Sequence, residues 1–361
     1  MDFSYICWNQ LAMTKKSILF VLISFLTVTS HSQQTINASI THGGLQRDYI
    51  LYVPAIYDGN TAVPLLFNFH GYTSNAGQQI FYGEFRGIAD TANFIMVLPE
   101  GTEDNNGSTH FNVGWGVSSV DDVGFTSALI DTLASQYTID LDRVYSTGMS
   151  NGGFMSFHLA CNLSNRIAAI ASVTGSIVPA TLSSCNPSHP IPVLQIHGDS
   201  DGTVPYAGGF GWSSPVSSLV SSWANQNNCP STPIFTAMPD INTSDGSTVE
   251  KYEYEEGDAC AQVIHYKILG GDHTWPGSAI SFPGTNYDIN ASKEAWNFLS
   301  QYDINGKIGC PTSSIEVIPA QEKELVKIVD FLGREVQPSE GSPLIYIYSD
   351  GTTERKIFVN D

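Results

Sequence analysis

Short, nearly continuous apolar runs recur along the chain: LLFNFH at 65–70, IMVL at 95–98, IAAIASV at 167–173 and PVLQIH at 192–197. Runs this short, bounded by turn residues, predict strands buried on both faces. Between and after them lie stretches that predict helices, over 82–92, 121–137, 153–162, 215–227 and 291–302. Asp121 and Asp122 put acids in the first turn of the second of these, where they suit the helix dipole. Segments 35–42 and 48–54, joined by Gly43-Gly44, predict an antiparallel opening hairpin, and 252–269 supplies further strands. Residues 99–116, rich in Asn and Gly, read as a long loop. Strands alternating with helices predict an α/β fold: a mostly parallel, doubly wound sheet covered on both sides.

The pattern changes near Gly309. Residues 309–315 read as a linker, and 316–361 as a small all-β domain. Its short strands fall at 325–329, 343–348 and 355–359, with turns at Leu332-Gly333-Arg334 and Asp350-Gly351. The N-terminal end predicts export. Lys15-Lys16 precede the apolar run 18–28, and Ser30-His31-Ser32 offers small residues for a signal peptidase, so 1–32 reads as a signal peptide with Gln33 first in the mature chain. Met13 is a more natural start for such a segment than Met1. The run is too short for a comfortable membrane span, so no span is expected in the mature chain. The main domain is then 33–308.

With 35 acidic and 15 basic residues the formal charge is -20, which disfavours nucleic acid and anionic membranes as partners. Five cysteines follow the signal segment: Cys161, Cys185, Cys229, Cys260 and Cys310. Export makes disulfides plausible, and an odd count leaves one unpaired within the chain. None has C-x-x-C spacing, so no zinc site is expected.

The candidate chemistry centres on Gly148-Met149-Ser150-Asn151-Gly152, a G-x-S-x-G pentapeptide between a predicted strand and a predicted helix. That context marks a nucleophile elbow, and a serine needs a histidine base oriented by an acid, in the order Ser, acid, His. Strand PVLQIH runs into Gly198-Asp199-Ser200-Asp201. Both acids compete; Asp201, deeper in the loop, is favoured, and Asp199 suits shaping the turn. His273 lies in the glycine-flanked loop GGDHTWPG after another strand and is the candidate base. His197 and His265 sit inside strands and read as structural. The oxyanion of acyl transfer needs backbone donors. The amide of Asn151 is one, and that of Tyr72, after strand LLFNFH and Gly71, is the other, with Thr73 as fallback. His70 would brace that loop. The chemistry requires no metal or cofactor.

The motifs HGYTSNA, DDVGF, RVYSTGMSNGGFMSFHLAC, IPVLQIHGDSDGTVPY and GGDHTWPG resemble the secreted polyhydroxybutyrate depolymerase and feruloyl esterase-like family of α/β-hydrolases, over about residues 36–303. The resemblance implies Ser150 as nucleophile, Asp201 as acid and His273 as base. It also implies disulfides Cys161–Cys185 and Cys229–Cys260, with Cys310 left over in the linker, and Trp115 and Trp275 lining the substrate cleft. The tail VKIVDFLGREV…PLIYIYSDGTTERKIFV is similar to the C-terminal sorting domain of type IX secretion, which implies that machinery as a partner and a secreted or cell-surface location. A carbohydrate-binding module is the competing reading of the tail. The expected reaction is hydrolysis of an ester-bearing polymer or oligomer. The preferred substrates are feruloyl or acetyl esters on plant or algal polysaccharide, and the alternative is a short-chain polyester such as polyhydroxybutyrate. A serine peptidase or a non-catalytic binding protein on the same fold remain as readings from other classes.

Overall fold

The computed structural model describes residues 33–311, 323–338 and 341–357. The expected signal peptide, residues 312–315 of the expected linker and the start of the tail lie outside them. The chain divides into two compact units between Cys310 and Pro311.

The first unit opens with the hairpin β1 (Gln34–His42) and β2 (Leu45–Val53). There follow β3 (Val63–Phe69), α1 (Ala76–Tyr82), α2 (Arg86–Ala92), β4 (Ile95–Pro99) and a small hairpin of β5 (Thr102–Glu103) and β6 (Thr109–His110). Next come α3 (Asp122–Gln136), β7 (Ile139–Met149), α4 (Asn151–Asn162), β8 (Ala169–Val173), α5 (Pro179–Ser184), β9 (Val193–Gly198) and α6 (Val216–Gln226). The unit ends with β10 (Ile234–Ala237), β11 (Thr248–Tyr254), β12 (Val263–Leu269), α7 (Ala291–Leu299) and the hairpin β13 (Tyr302–Asp303) and β14 (Gly306–Lys307).

One ten-stranded sheet results, in the order β1-β2-β4-β3-β7-β8-β9-β12-β11-β10. Its central six strands, β4 to β12, run parallel, and both flanks pair antiparallel. Each residue of β3, β4, β8 and β9 is buried, because helices cover both faces and no strand position meets water. One core layer joins the sheet to Phe125, Leu129 and Leu133 of α3, Phe154 and Phe157 of α4 and Trp223 of α6. The opposite layer holds Ile80 of α1, Ala89 of α2 and Trp296 and Phe298 of α7. Among the described residues no helix is long and apolar enough to cross a membrane.

Several boundaries differ from the pattern, each with a local cause. The helix expected over 82–92 starts only at Arg86, and α1, which the pattern did not mark, precedes it; between them the Gly83 carbonyl accepts Asn68 Nδ2 (2.9 Å). The final helix stops at Leu299. Tyr302 then turns in, fully buried, its carbonyl accepting the Tyr145 hydroxyl at 2.6 Å. Asp121 caps α3 by accepting Gly124 N (2.8 Å), while Asp122 turns inward to Arg47 (2.5 Å) and Asn112 N (2.7 Å).

The cysteines correct an expectation. Cys161–Cys185 is bonded, but Cys260 pairs with Cys310 and not with Cys229. Gly306, at φ 120°, lies where a side chain would strike the Ala259 carbonyl, so the β13–β14 hairpin can press against the 258–260 turn. That contact brings Cys310 to Cys260, with Cα atoms 5.9 Å apart. Cys229 is buried instead, its thiol directed at the Ala261 carbonyl at 3.5 Å. The first unit therefore extends past 308 to Cys310.

The second unit contains β15 (Leu325–Val329), β16 (Pro343–Tyr348) and β17 (Thr353–Ile357) in one antiparallel sheet. Gly351, at φ 81°, makes the turn between β16 and β17. The last strand starts two residues before the expected 355.

Candidate active site

β7 ends at Met149 and α4 begins at Asn151, with Ser150 alone between them at φ 55° and ψ -119°. A left-handed backbone at a residue with a Cβ costs about 1–3 kcal/mol and persists only where its surroundings enforce it. Here the crossing with β3 does so. A methyl group on Gly152 would stand 2.1 Å from the Phe69 carbonyl oxygen, so only glycine lets helix and strand approach. Serine is thereby lifted off the sheet at the positive end of α4.

Asp201 follows β9 and His273 follows β12, neighbouring parallel strands, so their loops emerge side by side. His273 Nδ1 lies 2.7 Å from Asp201 Oδ2. The Asp201 carboxylate is fully buried, and its Oδ1 accepts the amides of Thr203 and Val204, both at 2.8 Å. Burial alone would raise its pKa; hydrogen bonds from His197 and His273 outweigh that and hold it well below the usual carboxylate range. Asp199 points elsewhere, accepting Gly270 N at 2.8 Å and shaping the turn. Among the described residues no hydrogen bond engages His273 Nε2, and His273 lines a cavity together with Ser150.

The loop after β3 supplies the other wall. Thr73 N donates to Thr109 O (2.8 Å), which removes it as an oxyanion donor, while no backbone acceptor meets the Tyr72 amide among the described residues. The Asn151 amide lies in the first turn of α4, where amides have no partner inside the helix. His70 is buried and ties the loop down. Its Nδ1 lies 2.7 Å from Gly71 O, and its Nε2 accepts Gly101 N at 2.9 Å. The Tyr72 hydroxyl donates to Asp104 (2.7 Å), and that bond is the first cause holding the Asp104 carboxyl down at about 2.

Sequence reasoning valued Asn151 for its amide only. Its side chain is fully buried and pairs twice with one residue, accepting Phe111 N at 2.7 Å and donating to Phe111 O at 3.1 Å. The elbow thus holds the 99–116 loop directly. No local pattern carries this contact, which joins positions 40 residues apart.

Two cavities flank Ser150. The first, about 270 Å³, is lined by His273, Thr274 and Ser278 on one side and by Gln78, Tyr82 and Phe282 on the other. The second, about 350 Å³, is lined by Tyr72, Trp115, Val117, Val204 and Trp212 and does not include His273. Trp115 contacts Phe154 and Trp212 at ring distances of 5.1 and 6.2 Å. Trp275 lines the first cavity but is almost wholly buried. It is 2% exposed, with its indole N–H on Ser292 Oγ at 3.1 Å. Trp212 was missed, although GGFGW is an unusual run.

Residues 121–229 match the phospholipase/carboxylesterase family model. A probable feruloyl esterase C of Aspergillus oryzae is 30% identical over 235 residues, 63% of this chain and 76% of that protein. The chain belongs to the feruloyl esterase-like α/β-hydrolases.

The feruloyl esterase-like body also matches a bifunctional acetylxylan esterase/xylanase of Neocallimastix patriciarum, 26% identical over 279 residues. That alignment covers 76% of this chain but only 36% of the longer protein. Among solved structures, the acetyl xylan esterase from Aspergillus awamori shares the fold with a TM-score of 0.50, at 14% identity over 74% of this chain and 99% of that one.

Proposed function

We propose that the chain is a serine esterase that hydrolyses carboxylic esters on polysaccharide, with Ser150 as nucleophile, His273 as general base and acid, and Asp201 as the residue that orients and charges the imidazole. The observation that carries this reading is the 2.7 Å contact between His273 and a buried, ionised Asp201, facing the cavity that holds a strained Ser150. His273 takes the Ser150 proton as the hydroxyl oxygen adds to the ester carbonyl. The amides of Tyr72 and Asn151 hold the oxyanion, and the alcohol leaves with the proton from His273. Water, deprotonated by the same imidazole, then releases the acid and restores the serine.

The direction of proton transfer orients the substrate. The leaving alcohol must face His273, which favours the sugar in the first cavity, where Gln78, Ser278 and Thr274 offer hydrogen bonds. The acyl group then enters the second cavity, away from His273. Its tryptophan walls and volume suit an aromatic acyl group such as feruloyl, and are larger than acetyl requires. Export by the N-terminal signal and passage by the type IX route through the tail belong to the same reading. The two disulfides suit an oxidising compartment.

The test sets methyl ferulate, acetylated xylan and polyhydroxybutyrate side by side, with fluorophosphonate labelling of the wild type and of Ser150→Ala. Ferulate hydrolysis and labelling that vanish together in the variant support the reading. Activity on polyester alone overturns the substrate class, and absence of labelling in the wild type overturns the esterase.

A further inference from the structure

His197 lies one strand position before Gly198, inside β9, and is fully buried. Its hydrogen bonds determine where its proton sits. The Gly175 carbonyl can only accept, so the Gln195 side chain must turn its NH2 towards it, at 2.9 Å. The same NH2 lies 3.0 Å from His197 Nδ1, which must therefore accept. The proton is on Nε2, which donates to Val204 O at 2.8 Å and reaches Asp201 Oδ2 at 3.3 Å. A second proton on Nδ1 would meet the Gln195 NH2 head-on, so His197 is kept as a donor to Asp201 and is no rival base.

We infer that His197, oriented by Gln195, is a positioning residue for the reaction: it shares the Asp201 oxygen that His273 uses and sets how strongly that carboxylate holds the imidazolium. This rests on the Ser150–His273–Asp201 reading given above. Asp201 Oδ2 faces two imidazoles, and its Oδ1 is saturated by the Thr203 and Val204 amides. The carboxylate can neither rotate nor recruit water, and its charge is divided between the two rings. Other titratable groups around the pair include Tyr206, whose ring meets His197 edge-on at 5.9 Å, His265, which accepts the Tyr206 hydroxyl at 2.9 Å, and Lys267, in register with His197 on β12, whose Nζ lies over the Tyr206 ring and 3.7 Å from Asp199 Oδ2. Asp199 and Asp272 lie in the two adjoining loops and are bound to the amides of Gly270 and His273.

The experiment combines kinetics on methyl ferulate with nitrogen NMR of the histidines. In His197→Phe the Asp201 carboxylate loses the donor that helps fix its Oδ2, the imidazole is misplaced, and kcat falls about 10- to 100-fold while KM stays within about twofold. Asp201 then holds the proton on His273 more tightly, so the acid limb of kcat/KM moves to higher pH by roughly half a unit to one unit. His197→Gln keeps a donor at the Nε2 position and recovers most of kcat and the wild-type limb. A merely structural histidine would lower the melting temperature and leave the acid limb in place. NMR of the wild-type protein needs no variant to fold. It should show His197 protonated on Nε2 and bare at Nδ1, whereas His273 carries its proton on Nδ1. A His197 protonated on Nδ1, or a His197→Phe enzyme with unchanged kcat and acid limb, overturns the inference. A wild type without ester hydrolysis counts against the parent reading instead, since the NMR result does not depend on turnover.

Discussion

Replacing Asn151 by alanine leaves Ser150, the proposed nucleophile, and the backbone amide beside it in place and removes both bonds to Phe111. Phe111 is fully buried, so its N–H and C=O lose their partners away from water. Each orphaned group costs about 1–3 kcal/mol, and a water entering the vacated space recovers part of it, which gives about 2–4 kcal/mol for the pair. For a domain of this size that is a fall in melting temperature of roughly 3–7 °C. The loop freed at Phe111 carries Trp115, so hydrolysis of methyl ferulate should fall with stability, by about tenfold or more in kcat/KM. Asn151→Asp separates the two effects. It keeps an acceptor for Phe111 N but sets a carboxylate against Phe111 O and beside the developing oxyanion, so kcat should drop further than in the alanine variant at equal or lower stability. Thermal denaturation and steady-state kinetics on the three proteins decide it. An alanine variant melting within roughly 1 °C of wild type with full activity refutes the clamp.

Three other outcomes follow from the same structure. His265 is buried, and that burial pulls its pKa from 6.5 to about 4. Between pH 6.5 and 4 the unfolded chain binds a proton that the folded chain refuses, so stability should fall by about 3 kcal/mol as pH drops through that window and level off below it. Melting curves against pH should show this slope, and His265→Gln should flatten it. Gly152→Ala drives a methyl into the Phe69 carbonyl, so soluble expression should fail while Gly87→Ala, with nothing near its new methyl, remains folded. Burial pushes the Cys229 thiol up to about 11, so in the chain from Gln33 onward a thiol reagent should find no reactive cysteine among the described residues in the native state and one, Cys229, on denaturation. Peptide mapping should recover Cys260 joined to Cys310.

How far the sequence could be read depended on whether a feature was local. β3, β4, β8 and β9 were legible because strands covered on both faces need unbroken apolar runs, and such runs need no partner to be recognised. Asp201 and His273, 72 residues apart, could be nominated because each follows a strand in a glycine-rich loop. β10 gave no pattern: all its residues are exposed on the sheet's edge, so neither alternation nor burial marks it. The Asn151–Phe111 pairing and the Cys260–Cys310 bond depend on loops meeting in space. Cys310 was assigned to the linker because composition shifts there, yet covalent geometry assigns it to the body.

That bond also changes what happens when the chain is pulled or trimmed from its far end. A protease or an unfolding motor working inward from Asp361 meets a crosslink one residue inside the boundary, and the closed loop from 260 to 310 includes His273 and all of α7. Loss of the tail can therefore proceed to completion without loosening the imidazole's loop, and mechanical load on the tail is passed to residue 260 rather than to the last helix.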